Sequence, residues 1–329
     1  MLTLERLQRI RLTRTPPGQV AFANAVLRWD YLLPRRTEIV VEGLDNVPTD
    51  RTVFFAMNHT DRYNYWPFQY RMYQLGRPFT ATWVKGKYYE HPAMAWFMDA
   101  CNNIPLPSRG YVIATEFRDR IGRKPSGDEY RALRDRVDRR VGAEVPFDDA
   151  PGDVGRFVEA FAGKRDGVAF RDAFDALWAR YLEEIVRLTR HALERAGNNL
   201  LVFPEGTRSL TLRKGQTGLM QMAWHLGHDI VPVGCNGSND CYPGNSPFSR
   251  GGRIVYRIGA PLRLDGPELA PHAVPPDVLP LTFDAGHRYG AHYEAATAEV
   301  MRAIGALLDE RYLAPDGAAG GEAGVGRFL

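Results

Sequence analysis

Residues 203–209 read Phe203-Pro204-Glu205-Gly206-Thr207-Arg208-Ser209, directly after the apolar run Leu200-Leu201-Val202. A strand that ends there and turns at once places a glycine, two hydroxyls and an arginine at the edge of a sheet. Such an edge suits an anion. Gly206 lets backbone N–H groups approach closely, Thr207 and Ser209 add donors, and Arg208 offers a planar fork for phosphate. A tight turn closed by a Glu205–Arg208 pair accounts for the same residues.

Working outward, residues 37–43, 52–57, 79–84, 103–106, 199–203, 229–233 and 253–259 carry strand patterns. Helical periods separate most of them, which predicts an α/β fold, a central mixed sheet covered by helices. With 329 residues the chain is long enough for one sizeable domain with an embellishment. Phe174, Leu177, Tyr181, Ile185, Leu188 and Ala192 form one helical stripe that Gly197 stops. Before it, about residues 116–168 are rich in charge. There Ser126-Gly127-Asp128-Glu129 reads as a capping box, followed by Tyr130, Leu133 and Val137, so at least one helix is expected. The interleaved Asp119, Asp128, Glu129, Asp135 and Asp138 point to a solvated face rather than a nucleic-acid surface.

The segment 203–209 is similar to a signature block of the glycerolipid acyltransferases, the family of the 1-acylglycerol-3-phosphate acyltransferases. Its companion blocks occur in order. Asn58-His59-Thr60-Asp61-Arg62-Tyr63-Asn64 closes the apolar run 53–57, as the family's catalytic His block does. Lys85-Gly86-Lys87 with Asn103-Ile104-Pro105-Leu106-Pro107-Ser108-Arg109 resembles the second block, Lys214-Gly215 the Lys-Gly after the signature, and Asp229-Ile230-Val231-Pro232-Val233 the last block. The resemblance covers roughly residues 38–115 and 180–262, and implies a glycerol-3-phosphate acyltransferase-like fold in which residues 37–314 form the acyltransferase domain, with about 116–168 inserted.

It further implies His59 as general base. The hydroxyl of a lysophospholipid or glycerol phosphate, foremost 1-acylglycerol-3-phosphate, would attack a fatty acyl thioester. Arg109, Glu205, Gly206, Thr207, Arg208 and Ser209 would lie at the acceptor's phosphate, with Lys85 and Lys87 assisting through charge. No cofactor is implied beyond the co-substrate, an acyl-CoA or acyl carrier protein thioester. A non-phosphorylated lipid or glycolipid acceptor stands beside this reading, as does a lipid- or thioester-binding protein with impaired turnover.

The chain departs from the family at one point. There the His is followed five positions later by an Asp that holds the imidazole; here that position is Asn64. An amide oxygen can accept the ring's proton but cannot match a carboxylate's stabilisation of imidazolium. Asp61 is the nearest carboxylate in sequence and is the favoured substitute. Asn64 also reads as the N-cap of a helix with Pro67 in its first turn, running through Phe68, Met72 and Leu75 to Gly76.

Residues 1–36 carry seven arginines (6, 9, 11, 14, 28, 35, 36) against Glu5 and Asp30, and Phe22, Val26, Trp29 and Leu33 form one helical stripe. That fits peripheral contact with an anionic membrane, or a helix packed on the protein with a basic outer face. No run reaches the roughly 18 apolar residues of a membrane span. With no secretory signal pattern and three cysteines (Cys101, Cys235, Cys241), the expectation is a cytoplasmic protein peripheral to the inner face of the cell membrane. His225 and His228 have a possible metal spacing, but a helix end at Gly227 explains them and no metal site is expected. Neither a Walker loop, a dinucleotide glycine fingerprint nor a Gly-x-Ser-x-Gly elbow occurs. Residues 315–329, mostly Gly and Ala, lack the apolar content for a core and read as a flexible tail.

Overall fold

Seven strands form one sheet: β1 (Thr37–Glu42), β2 (Phe54–Met57), β3 (Thr80–Lys85), β4 (Asn103–Leu106), β5 (Asn199–Val202), β6 (Ile230–Asn236) and β7 (Gly252–Ile258). They are seen in a computed structural model that describes residues 2–313, so the expected tail from residue 315 lies outside the described residues. Each expected segment is a strand. The sheet order is β1-β7-β6-β2-β5-β3-β4. It is mixed because β7 runs antiparallel to β6 and parallel to β1.

Alternation along the central strand divides the core. Phe54 and Ala56 face one side with Leu200 and Val202, while Phe55 and Met57 face the other with Leu201, Val231 and Val233. That is the two-residue period of a strand buried on both faces. Helix Gly167–Arg190, whose Phe174, Tyr181, Ile185 and Leu188 are buried, covers the first face with Gly218–Leu226 and Phe283–Gly305. Helix Tyr65–Gln74 and the N-terminal residues Ala23, Leu27 and Tyr31 cover the second, whereas Leu2, Leu7, Ile10 and Leu12 pack in the first. The stripe predicted from Phe174 therefore lies on a helix that starts earlier, at Gly167, where Asp166 caps it.

The parallel strands β2, β5, β3 and β4 end on one edge, where loops carry the sequence blocks. A chain whose strand order reverses about its central strand opens a crevice at that edge.

Two expectations change. The N-terminal stripe is not one continuous α-helix: a π-helical turn, Ala23–Leu27, interrupts it, and the helix ends at Asp30, so Leu33 lies beyond it. Ala23, Leu27 and Tyr31 pack inward, leaving Trp29 (55%) and Leu33 (62%) exposed. The charged insertion is not a solvated appendage either. Helices Gly127–Val137 and Val154–Ala162 bury Leu133, Val137, Phe157 and Val158 in the main core. Three of its charged residues, Glu129, Arg134 and Arg136, are buried, while Asp119, Asp128 and Arg131 stay exposed. Glu129 accepts from both terminal nitrogens of Arg123 at 2.7 Å and from the Ser126 and Asp153 backbones, closing the predicted capping box. Arg136 donates to the carbonyls of Gly142, Val145 and Pro146.

No helix among the described residues is long and apolar enough to cross a membrane. Glu129→Ala should lower the unfolding free energy by about 2–4 kcal/mol, because it strands buried donors. A denaturant midpoint unchanged from the parent would mean that the insertion is loosely attached.

Candidate active site

Register decides how His59 meets the signature turn. Ala56 pairs with Val202 on β5 and with Pro232 on β6, so three residues on, where both ladders have ended, His59 lies level with Glu205. Side chains continue the ladders there. The Glu205 carboxylate accepts the His59 backbone N–H at 2.7 Å, and the His59 carbonyl accepts from the Ser209 N–H at 2.9 Å. On the other flank the Asn58 amide imitates a peptide: its nitrogen donates to the Cys235 carbonyl, and its oxygen accepts from the Cys235 N–H. Gly206 supports the turn with φ 66°, a conformation glycine adopts without penalty.

The imidazole is held on two sides. Its face stacks on Phe203, with centroids 4.1 Å apart and planes 20° from parallel. Its Nδ1 meets Asn64 Oδ1 at 3.1 Å. The Asn64 amide nitrogen donates to the Asn58 carbonyl at 2.8 Å, so the amide oxygen must be the atom facing the ring. An oxygen can only accept, which puts the ring proton on Nδ1 and leaves Nε2 with its lone pair. Burial, followed by the charges of Arg208 and Lys85, outweighs the Asn64 bond and brings the His59 pKa down to about 4. At neutral pH the ring is an uncharged acceptor.

Asp61 does not orient His59. Its oxygens accept from the Tyr63 N–H at 2.8 Å and the Thr60 hydroxyl at 3.0 Å, and burial raises its pKa. Those bonds brace the loop before helix Tyr65–Gln74, and the Nδ1 of His59 is met by Asn64 instead. Nor does the Asn64 side chain cap that helix, because its amide is committed to His59 and Asn58.

Of the residues expected at a phosphate, Arg208 and Lys85 are exposed and within electrostatic reach of His59. Lys87 is exposed over the Tyr88 ring. Thr207 is half-buried, and Ser209 also accepts from Arg213 through its hydroxyl. Arg109 is placed differently. It is 7% exposed, lies 5.9 Å over the Trp178 ring, and pairs with Asp138 of the insertion at 3.9 Å. The charges that bear on it are Asp138, Arg134, Asp175 and Arg139. Neighbouring strands are about 4.8 Å apart, so β4, three strands from β2, puts Arg109 roughly 14 Å along the edge from His59.

Glu205, 4% exposed, has its pKa raised to about 7 by burial, although two backbone N–H groups oppose that. His225 and His228 bond through Nδ1 to the carbonyls of Val278 and Thr52, and Gly227 ends their helix with φ 72°.

Sequence reasoning had no signal for one neighbour of the site. A small cleft is lined by Phe22, Leu27, Tyr65, Trp66, Phe79 and Phe97, among others. A chain of ring contacts joins it to His59: Phe203 on the imidazole, Tyr65 at 6.4 Å from Phe203, Trp66 at 6.0 Å from Tyr65, and Phe22 at 4.9 Å from Trp66.

Two titrations check this geometry. By NMR the His59 ring should titrate near pH 4, and Asn64→Asp should move it upward by about 1 to 3 pH units, since a carboxylate favours imidazolium. A wild-type value near 6.5 would contradict the buried ring. Glu205 binds its proton more tightly folded than unfolded, so its contribution to stability is full below about 4.5 and is lost as pH rises through about 7. His59 acts oppositely between about 4 and 6.5. The Glu205 part is therefore read as the difference between the stability profiles of wild type and Glu205→Gln. Parallel profiles would mean that Glu205 titrates normally.

The family model described as Acyltransferase matches residues 152–236, which hold β5, the signature turn and β6. No curated protein matches the chain. Among solved structures it is similar to the crystal structure of the 1-acyl-sn-glycerophosphate (LPA) acyltransferase PlsC from Thermotoga maritima, at 17% identity and a TM-score of 0.41, over 81% of this chain and 74% of that one. The stretch 152–236 thus carries the Acyltransferase match, and within it Glu205 of the signature turn is hydrogen-bonded to the His block.

Proposed function

We propose that the chain moves a fatty acyl group from a thioester of coenzyme A or acyl carrier protein to a hydroxyl of a glycerolipid, first of all 1-acylglycerol-3-phosphate. The observation that carries this is the His59–Asn64 bond, with the Asn64 amide nitrogen anchored on the Asn58 carbonyl. In the serine-protease triad an Asp-to-Asn change costs about 10⁴ in rate through the wrong tautomer. Here the anchored amide enforces the productive tautomer, and only the carboxylate's charge is missing.

In this reading Nε2 of His59 takes the proton of the acceptor hydroxyl as its oxygen attacks the thioester carbonyl. Negative charge develops on the carbonyl oxygen under the field of Lys85 and Arg208. The thiolate then leaves and recovers the proton from imidazolium. The aromatic side chains that lead from Phe203 through Tyr65 and Trp66 to Phe22 give the acyl chain an apolar surface to follow away from His59. An acceptor phosphate is met by Arg208 and Lys85, whereas Arg109 serves the attachment of the insertion. Exposed Trp29, Leu32 and Leu33, with Arg28, Arg35 and Arg36 close in sequence, support peripheral contact with an anionic membrane. The missing carboxylate at position 64 favours a second reading, a thioester-binding protein without turnover.

Thiol release and product mass, followed with palmitoyl-CoA and a lysolipid panel, test the proposal. His59→Ala should abolish transfer and keep thioester binding, while a wild type that binds without turnover would establish the second reading. Asp61→Asn should act on stability more than on kcat. Arg208→Ala should raise KM for a phosphorylated acceptor about tenfold or more, from the loss of a charge-assisted contact of roughly 1.5–3 kcal/mol. Arg109→Ala should instead lower stability. An equal KM effect at Arg109, with stability intact, would return that residue to the acceptor.

A further inference from the structure

Phe248 is 61% exposed, on the segment 242–251 that returns the chain from β6 to β7. Its backbone is held. The Ser246 hydroxyl accepts the Phe248 N–H at 3.2 Å, and the Cys241 carbonyl accepts the Arg250 N–H at 2.8 Å. The same segment is fastened to the end of the N-terminal helix. Asp30 accepts the Ser249 N–H at 3.1 Å, and the Thr37 and Ser249 hydroxyls meet at 2.7 Å. Gly251 lies so close to Arg35 that an added Cβ would stand 2.5 Å from the arginine's own. Phe248 and the exposed Trp29, Leu32 and Leu33 are thereby brought to one corner of the molecule. The charge around them has one sign. Arg28, Arg35, Arg36 and Arg250 are exposed, and among the described residues none of them pairs with a carboxylate. Nearby carboxylates are already engaged, Asp30 with Ser249, Glu38 with Arg253 and Asp240 with Arg311.

Topology gives this corner its direction. β6 runs parallel to β2 and β7 antiparallel to β6, so β7 and its parallel neighbour β1 begin on the edge where β2 delivers His59. β7 is two strands from β2, about 10 Å along that edge. Tyr63 of the His block donates its hydroxyl to the Asn245 carbonyl at 2.9 Å, which ties the two directly.

We propose that the segment 242–251 is a second membrane contact, in which Phe248 enters an anionic leaflet beside Trp29, Leu32 and Leu33 and Arg250 meets lipid phosphate. The edge that carries His59 is then turned toward the leaflet. This rests on the reading of peripheral contact through the N-terminal segment. An apolar cluster ringed by cations gains at such a surface from both burial and charge.

Sedimentation of the full chain with phosphatidylcholine vesicles containing about 30% phosphatidylglycerol reads the binding. Phe248→Ser and Arg250→Gln should each weaken it about fivefold or more. Unchanged binding in both, with Trp29→Ser weakened, would overturn this inference and leave the N-terminal contact in place. A wild type that binds no vesicle would overturn both. Equilibrium sedimentation without lipid tests a second copy of the chain as the occupant. A dimer that Phe248→Ser dissociates, with vesicle binding unaffected, would assign the face to that copy instead. Thiol release from palmitoyl-CoA is followed with a lysophosphatidate held in the same vesicles and with a short-chain, water-soluble one. Phe248→Ser should raise KM for the first by a similar factor and leave the second unchanged. Equal loss with both would place Phe248 in the fold rather than at the membrane. Vesicle binding that Phe248→Ser weakens, with no turnover of either acceptor by the wild type, would support this inference and remove the catalytic reading alone.

Discussion

The site depends on a carboxylate that receives a backbone N–H. β2 stops at Met57, and the two residues after it would leave their peptide groups unmatched in the middle of a sheet. Glu205 meets the His59 N–H, the Asn64 amide meets the Asn58 carbonyl, and the Asn58 side chain in turn meets both peptide groups of Cys235 on β6. Side chains therefore join the central strand's continuation to both of its neighbours after the ladders have ended. What this secures is the backbone beneath the imidazole. An imidazole placed by its own main chain, directly after a fully buried strand, loses little geometry to thermal motion. The arrangement costs the burial of a carboxylate, visible in the raised pKa of Glu205, and two backbone donors offset part of that.

Much of this was legible in the chain. All seven strands announce themselves by short apolar runs that end in polar turns, because a sheet covered on both faces leaves no other pattern. The capping box at Ser126 and the helix stop at Gly227 are local rules and are met locally. The pairing of Glu205 was not legible. From sequence its neighbour is Arg208; in space its partners are His59 and Arg213, brought in by parallel register and by the loop's return. The role of Asp61 failed for a related reason. Two residues of separation suggested contact, but the side chain follows its own turn toward the Tyr63 N–H.

Charge in the insertion misled in the opposite direction. Alternating acids and bases usually indicate solvent, yet Glu129, Arg134 and Arg136 are among the buried residues, since each finds its counter-charge or a set of carbonyls within the same insertion. The guanidinium groups of Arg123 and Arg136 also lie over the Phe117 and Phe147 rings. Through Asp138 the insertion engages Arg109, which also lies over Trp178 of helix Gly167–Arg190, and so it is tied to the helix that follows β4.

The amide at position 64 has a consequence beyond orientation. A carboxylate there would lay a negative charge under the ring, opposing the potential that Lys85 and Arg208 raise above it. With Asn64 that charge is absent, and the surroundings of the ring are one unit more positive than an aspartate would leave them. A potential of that sign reaches about a Debye length into solution and weakens as salt is added.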